Sequence, residues 1–371
     1  MRTSPYMAFL AALAIIPFLG APVQAGLEQQ IATFDQLTSG YGVMTMGNAT
    51  VGGNYGDTQG GIAVGGNLTI SGGDSQWAEH SSAGSKPTFY VAGQLNLTGN
   101  QEIRIKNGYA YLPNATGTWN AADKRLTLSS GGKVYTGGSS DPLAGTDPRS
   151  TSGGAPWNWA ALNSSLVNVS NALAAASSTG TIGVSGQNMT FNTNGQTSGV
   201  AVFTLDGSKF QGTIYDANGD GVFDQNNERI SNFAVNIPAD MVYVINVVNF
   251  GGKTLLDGIN TNTDTDSNSR LLWNIIPSNG NTGTVTLGKD GSTFNGSVLA
   301  PLVDVKNNNG TATNGQIIAG SYTHNGGELH YTEFSAPVSF SAVPEPGTWG
   351  LFGIAGCAVM MAMRRNRRRR A

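Results

Sequence analysis

Apolar residues in this chain recur in pairs two positions apart, and glycine or asparagine follows almost every pair. Ile62/Val64, Leu68/Ile70, Leu95/Leu97, Ile103/Ile105, Tyr109/Tyr111 and Leu126/Leu128 set the texture. Side chains alternate between the faces of a strand, so each pair marks a half-buried strand of three to five residues. Gly65-Gly66, Gly72-Gly73, Gly131-Gly132 and Gly137-Gly138 supply tight corners. Strands this short cannot enclose a core singly; they must stack into a β-solenoid or a β-sandwich. No strict period is visible, so a solenoid would be irregular. Strand texture returns at Ile182/Val184, Met189/Phe191 and Val200–Leu205. Met241–Val248 is nearly all apolar and reads as a strand buried on both faces. Val285/Leu287, Val298-Leu299, Val303/Val305, Ile317-Ile318 and Leu329/Tyr331 complete a second β-rich half. No linker divides the two halves. The stretch Gly137–Pro156 reads as a long surface loop.

Two segments break the pattern. Leu27, Ile31, Phe34 and Leu37 are spaced for one face of a short helix. Trp159, Leu162, Leu166, Val169, Leu173 and Ala176 form a longer apolar stripe at steps of three and four. Pro156 suits its first turn, and Gly180 ends the segment. Such a stripe must bury against something, and the flank of the β-body is its natural partner. The expected fold is therefore mainly β: a β-solenoid or β-sandwich body with one flanking amphipathic α-helix.

The two ends of the chain differ from the body. Arg2 precedes the apolar run Met7–Leu19, and Val23-Gln24-Ala25 offers the small residues that a signal peptidase reads. Residues 1–25 thus read as a signal peptide cut after Ala25. The far end carries Pro344-Glu345-Pro346, the uncharged sixteen-residue run Thr348–Met363, and six arginines beginning with Arg364 and Arg365. That run spans about 24 Å as a helix, somewhat short of a ~30 Å hydrocarbon core, and arginines can snorkel to close the gap. A single C-terminal transmembrane helix with a cytoplasmic arginine cluster follows, leaving the body on the far side. The two prolines keep the preceding segment extended and open to a protease.

This tail resembles the PEP-CTERM sorting signal of exported bacterial proteins. The resemblance implies processing by an exosortase, transient membrane residence through the tail, and delivery from an inner-membrane intermediate to the cell surface or extracellular matrix of a Gram-negative bacterium. The chain divides accordingly into residues 1–25, a body over 26–341 and a sorting segment over 342–371, with the box at 344–346, the span at 348–363 and the basic cluster at 364–370.

Between Gly26 and Val343 stand 13 basic and 22 acidic side chains, a net charge near −9. That balance argues against nucleic acid as a partner and suits cations. The only cysteine, Cys357, lies in the tail, so no disulfide stabilises the body. The sharpest local signal is Asp216-Ala217-Asn218-Gly219-Asp220-Gly221-Val222-Phe223-Asp224. Oxygen side chains fall at Asp216, Asn218, Asp220 and Asp224, with a glycine at position six and the Val222 carbonyl at seven, which is calcium-loop spacing. Asn227 holds position twelve, and Glu228 comes one residue late as the carboxylate ligand. Flanks Phe210–Tyr215 and Ile230–Ile237 look like strands. The expectation is Ca²⁺ at the tip of a β excursion; the alternative is an ordinary Asp/Asn/Gly turn. Asn260–Asp266 reads as a solvated loop, with a second cation as the lesser alternative. His324, Glu328 and His330 hint at zinc, but Gly326-Gly327 predicts a turn between them and no further ligand is near, so His330 reads as structural.

Several blocks resemble the choice-of-anchor A family of exported bacterial surface proteins. Asp57-Thr58-Gln59-Gly60-Gly61-Ile62-Ala63-Val64-Gly65-Gly66-Asn67 is similar to that family's opening pattern. Leu272-Trp273-Asn274, Phe294–Pro301 with Leu299-Ala300-Pro301, Gly315–Gly320, Glu328-Leu329-His330 and Phe334 resemble its closing blocks. The resemblance implies structural roles for Asp57, Gly61, Gly65, Gly66, Asn67, Trp273, Asn274, Leu299, Ala300, Pro301, Gly315, Gly320, His330 and Phe334. It implies adhesive or surface function and a body that carries interchangeable anchors. The closing blocks resemble the ice-binding β-solenoids more weakly, and that likeness implies an irregular β-solenoid body with one flanking amphipathic α-helix rather than a sandwich. No nucleophile elbow, metalloprotease helix, phosphate loop or ordered triad is present. The expected function is a non-enzymatic surface or matrix module whose partner is an extracellular polysaccharide or surface ligand. A carbohydrate-active β-helix enzyme and an ice-binding protein are the alternatives; ice binding would need threonines two apart on successive coils, as at Thr284/Thr286 and Thr311/Thr313.

Overall fold

Most of the apolar pairs form short parallel strands that wind into coils of three; Leu126/Leu128 and Ile182/Val184 lie in antiparallel hairpins. The computed structural model describes residues 21–53, 58–73, 75–81, 86–137, 143–150, 155–224, 228–250, 254–256, 259–277, 283–288, 293–308 and 312–342. One coil runs Gly61–Val64, Leu68–Gly72, Ser75–Trp77; the next runs Phe89–Val91, Leu95–Leu97, Glu102–Ile105. Equivalent strands pair in parallel, giving three stacked faces around one core: Ile62 with Phe89, Leu68 with Leu95, Ser75 with Ile103. The body is a β-solenoid.

The coils are not stacked in chain order. Tyr41–Thr45 pairs with Gly61–Val64 on one side and with Ile317–His324, the closing coil, on the other. The first face therefore runs Gly199–Asp206, Met241–Val248, Leu271–Ile275, Ser297–Asn307, Ile317–His324, Tyr41–Thr45, Gly61–Val64, Phe89–Val91, Ala110–Tyr111. The two halves of the chain grow away from a central seam where its first and last coils meet. Ser297–Asn307 and Ile317–His324 each serve two faces; a register shift between Ala300 and Asp304, at Pro301, turns the former around the corner.

Between the first and second faces the chain turns at Gly47-Asn48, Gly66-Asn67 and Gly93-Gln94. The Gly47 N–H donates to the Gly320 carbonyl at 2.7 Å, Gly66 to Gly47 at 2.9 Å and Gly93 to Gly66 at 2.9 Å. The backbones approach so closely that a Cβ on Gly66 would stand 2.8 Å from the Gly47 carbonyl carbon, and one on Gly93 2.5 Å from the Gly66 oxygen. Asn48 Oδ1 accepts the Asn67 N–H and Asn67 Oδ1 accepts the Gln94 N–H, each at 2.8 Å, so the side chains bridge what the turn leaves unpaired.

Along the first face the strands are buried on both sides. Inward residues Val298, Ile317, Val43, Ile62 and Phe89 fill the coil interior. The outward row Asn246, Asn274, Leu299, Ile318, Met44, Ala63, Tyr90 lies in register under two helices. Helix α1, Ala21–Thr38, covers it with Leu27, Ile31 and Phe34; helix α2, Trp159–Ala175, does so with Leu162, Leu166, Val169 and Leu173. Full burial of each such aliphatic side chain contributes about 1.5–3 kcal/mol. Helix α1 is longer than its four-residue stripe suggests, and Ala25 lies within it. Helix α2 starts after Asn158, whose side chain accepts the Ala161 N–H at 3.1 Å, so the cap falls two residues beyond Pro156. It ends at Ala175 with Ala176 extended, four residues before Gly180, because the chain already pairs with the sheet there: the Thr179 and Gly180 N–H groups donate to the Val202 carbonyl.

Among the described residues no helix is long and apolar enough to cross a membrane. The expected span 348–363, Pro344, Glu345, Pro346, Arg364, Arg365 and Asp57 lie outside the described residues.

Candidate functional site

The second face of the solenoid presents a row of side chains to solvent across seven strands. Parallel register aligns Thr254, Thr286, Lys306, Thr323, Thr50, Thr69 and Asn96. Their neighbours two positions apart in sequence alternate inward, as with Val285 and Leu287 around Thr286, so the row follows from the same pairs that form the core. Strands about 4.8 Å apart fix the spacing of the row. Beside it runs a second, shorter rank, Thr284, Asp304 and Ser321, with the Ser321 hydroxyl bonded to the Asp304 carboxylate. Most groups here are hydroxyls and amides that both donate and accept. Such a surface can match a hydrated polymer or ordered water. The alternate polar positions were in view in the sequence, yet only Thr284/Thr286 stood out; the row exists only once the seam places Thr50 beside Thr323. Thr313 does not belong to it: it is buried on the third face, where its hydroxyl accepts from Asn307 at 3.0 Å.

The Asp216–Glu228 loop follows the second strand of a small hairpin, Phe210–Gln211 with Ile214–Tyr215, and the chain returns to that strand at an antiparallel bridge between Ile214 and Arg229. Asp216 accepts the N–H groups of Gly219 at 2.6 Å and Gly221 at 3.0 Å. Asn218 Oδ1 accepts the Asp220 N–H at 2.9 Å, and Asp220 Oδ1 accepts the Val222 N–H at 2.8 Å. Glu228, one residue late in the spacing, reaches back: one oxygen accepts the Ala217 N–H at 3.2 Å and the other the Asp224 N–H at 3.0 Å. The loop is therefore closed by its own backbone, with Asp216 and Glu228 buried at its base and Asp220 exposed. Among the described residues no group of three or more His, Cys, Asp or Glu side chains converges as a metal site. Asn260–Asp266 is not a simple loop: Asn260–Asn262 is a strand with Thr261 buried, and Asp264 accepts the Ser267 N–H at 2.6 Å at the start of helix α3, Thr265–Asn268.

Most of the motif positions lie at coil corners or in the core. Gly61, Gly65 and Gly66 sit where added Cβ atoms would meet backbone oxygen or neighbouring side chains, and Gly320 receives the Gly47 N–H. Trp273 is fully buried, stacks on Phe233 at 5.9 Å and donates its Nε1–H to the Asn295 carbonyl at 2.9 Å. Asn274 donates to the Ser170 carbonyl of α2 at 3.0 Å and to Asn246 Oδ1 at 2.8 Å, while Asn246 donates to the Leu173 carbonyl at 2.9 Å. This amide ladder docks α2, and nothing in the spacing of the sequence announced it. Leu299 packs under the helices and Ala300 in the coil interior. Gly315 passes against the Gly296 carbonyl, and Phe334 meets Phe34 edge-on at 5.0 Å. His330 contacts Asn314 and Glu328 at 2.9 and 2.8 Å. His324 faces the core instead, between the Tyr322 hydroxyl and the Gly327 carbonyl, both at 3.1 Å, so the two histidines do not converge.

No curated protein matches the chain. Among solved structures, an ice-binding protein from an Arctic yeast is similar at 12% identity and a TM-score of 0.34, covering 82% of this chain and 95% of its own. An ice-binding protein from an Antarctic biological consortium is similar at 11% and 0.31, covering 80% and 90%. Ice-binding protein 1 of Shewanella frigidimarina is similar at 12% and 0.30, covering 80% and 94%. Residues 342–369 match the PEP-CTERM protein-sorting motif, which marks the chain for export through a membrane intermediate. Residues 34–331, nearly the whole body, match a second family, and the chain belongs to the ice-binding-like adhesive domain family.

Proposed function

We propose that this protein is a non-enzymatic surface module, released at its tail by an exosortase, that adheres to a hydrated extracellular polymer through its hydroxyl face. The adhesive family and the sorting motif support the class. The observation that carries the mode of binding is the seven-strand row from Thr254 to Asn96, aligned by an unbroken register. The narrower likeness to choice-of-anchor A proteins belongs to this proposal, since it joins an adhesive body to an exchangeable tail. The test replaces Thr69 and Thr323 with Tyr, which raises bulk above the plane without touching the core. Cells bearing the substituted chain should lose most of their attachment to exopolysaccharide, while the chain melts within a few degrees of the parent. Unchanged attachment would overturn the reading.

Ice binding is the second reading, favoured by the same threonines, although Lys306 and Asp304 break their row. Thermal hysteresis by the full chain, abolished by the Tyr substitutions, would establish it in place of adhesion. A calcium role for the Asp216–Glu228 loop is also proposed. It is supported by the burial of Asp216 and Glu228 beneath Asn218 and Asp220, and it is tested by whether calcium raises the melting temperature of the parent and not of Asp220→Ala.

A further inference from the structure

The third face ends, at the outer edge of the N-terminal coils, in a patch whose charge opposes that of the rest of the body. Within residues 102–135 stand Arg104, Lys106, Lys124, Arg125 and Lys133 against only Glu102 and Asp123. Here Glu102–Ile105 pairs with Lys133–Tyr135, which pairs in turn with Arg125–Leu128. Ile103, Ile105, Leu126 and Val134 point into the core. The opposite side chains form a solvent rank in strict register: Gln76, Arg104, Tyr135, Arg125, Asn120. The Tyr135 ring lies between two guanidinium groups, Arg104 at 4.6 Å and Arg125 at 5.9 Å from its centroid.

The two carboxylates are committed to three of the cations. Glu102 bonds Arg104 at 2.8 Å and Lys133 at 2.9 Å; Asp123 bonds Arg125 at 3.2 Å. Lys106 and Lys124 have no ion pair among the described residues, and both line a recess of about 300 Å³ with Arg104 and Tyr135. Lys124 is held for this position. Its backbone is left-handed at φ 50°, a conformation that costs a lysine about 1 kcal/mol or more, and its carbonyl is fixed by the Thr136 N–H at 3.0 Å. Its side chain lies over Gly137 and Gly145, where a Cβ would meet Lys124 Cδ at 2.5 and 2.8 Å. Two glycines thus make the room that directs this ammonium group.

We propose that this recess binds the carboxylate groups of an acidic polysaccharide. The inference rests on the adhesive reading above and adds the ligand's charge to it. Guanidinium forks and ammonium groups suit carboxylates, and repeated weak engagement along a polymer supplies avidity. Nucleic acid fits less well. Two guanidinium groups already lie over the Tyr135 ring, where a base would have to stack. A lipid surface fits less well because the exposed large apolar side chains, Val222, Leu302 and Val338, all lie elsewhere.

The test uses the full chain with Arg364, Arg365 and Arg367–Arg370 changed to Gln in every sample, so that the tail cannot bind the probes. Immobilised alginate, a polyuronate, should retain the parent at low salt, and neutral dextran should not. The double variant K106E/K124E should bind alginate at least tenfold more weakly with its melting temperature unchanged. Should that variant fold poorly, the single variants K106Q and K124Q should each weaken binding severalfold. Undiminished alginate binding by the variants would overturn the proposal. So would duplex DNA retained as tightly as alginate and lost in parallel, since the patch would then be a general polyanion surface. Cell attachment separates the two levels. If cells lacking the chain attach as well as those bearing it, the adhesive reading fails; if only chain-bearing cells attach and K106E/K124E serves equally, this inference alone fails.

Discussion

The first and second faces of the solenoid are wound from the same coils, yet their outward rows have opposite fates. On the first face Asn246, Asn274, Leu299, Ile318, Met44, Ala63 and Tyr90 are all sealed under helices. On the second face Thr286, Lys306, Thr323, Thr50, Thr69 and Asn96 all meet water. The backbone ladder is the same in both, so the outward side chains and the helices they attract make the difference. Stability should therefore be concentrated on one outward row and binding on the other.

The largest effect should follow from opening the helix-covered face. Leu166 of α2 is fully buried between the helix and the sheet. Leu166→Ala should lower stability by about 2–5 kcal/mol, read from denaturant midpoints. A loss under 1 kcal/mol would mean that the helices are not integral to the core.

A comparable effect should come from acid. Burial lowers the pKa of His324 to about 4 from an ordinary value of 6.5, against the opposing pull of the Gly327 carbonyl. The unfolded chain then takes up a proton as pH falls through 6.5, while the folded chain resists until about 4. The stabilisation is complete above pH 6.5 and drains away between 6.5 and 4, to a total of about 3 kcal/mol. His324→Gln should flatten that part of the stability curve relative to the parent; parallel curves would refute the assignment.

Asn274→Ala should cost about 1–3 kcal/mol, because it strands the Asn246 carbonyl oxygen and the Ser170 hydroxyl in a dry interface. A Leu at the same position would test whether polarity or mere volume matters to the docking of α2.

The strands were legible in the sequence, and their stacking was not. Apolar pairs such as Leu68/Ile70 mark strands because an alternating pattern admits little else. The seam between Thr45 and Ala319 joins residues far apart in the chain, and short strands of similar composition can pair in many orders. The amide ladder was hidden for a related reason: Asn246 and Asn274 look like surface residues until α2 lies over them. Glu228 stood out in the sequence only as a carboxylate one residue late; that it accepts the Ala217 and Asp224 N–H groups depends on how the loop folds back. The patch around Tyr135 was hidden because its rank is assembled from five strands, three of them joined by hairpins.

The smallest stability effect should be on the hydroxyl face, where the comparison is most exposed to failure. Thr50 and Thr69 are outward, and among the described residues no side-chain hydrogen bond ties either to the body. Thr50→Ala with Thr69→Ala should shift stability by no more than about 0.5 kcal/mol for each site, the ordinary range for surface changes. The same pair should weaken attachment to the polymer measurably, because two adjacent hydroxyls are lost from the row. A stability loss of several kcal/mol would show that the row is structural, as on the helix-covered face. Unchanged stability with weakened binding would show instead that one coil architecture divides its two duties between adjacent faces.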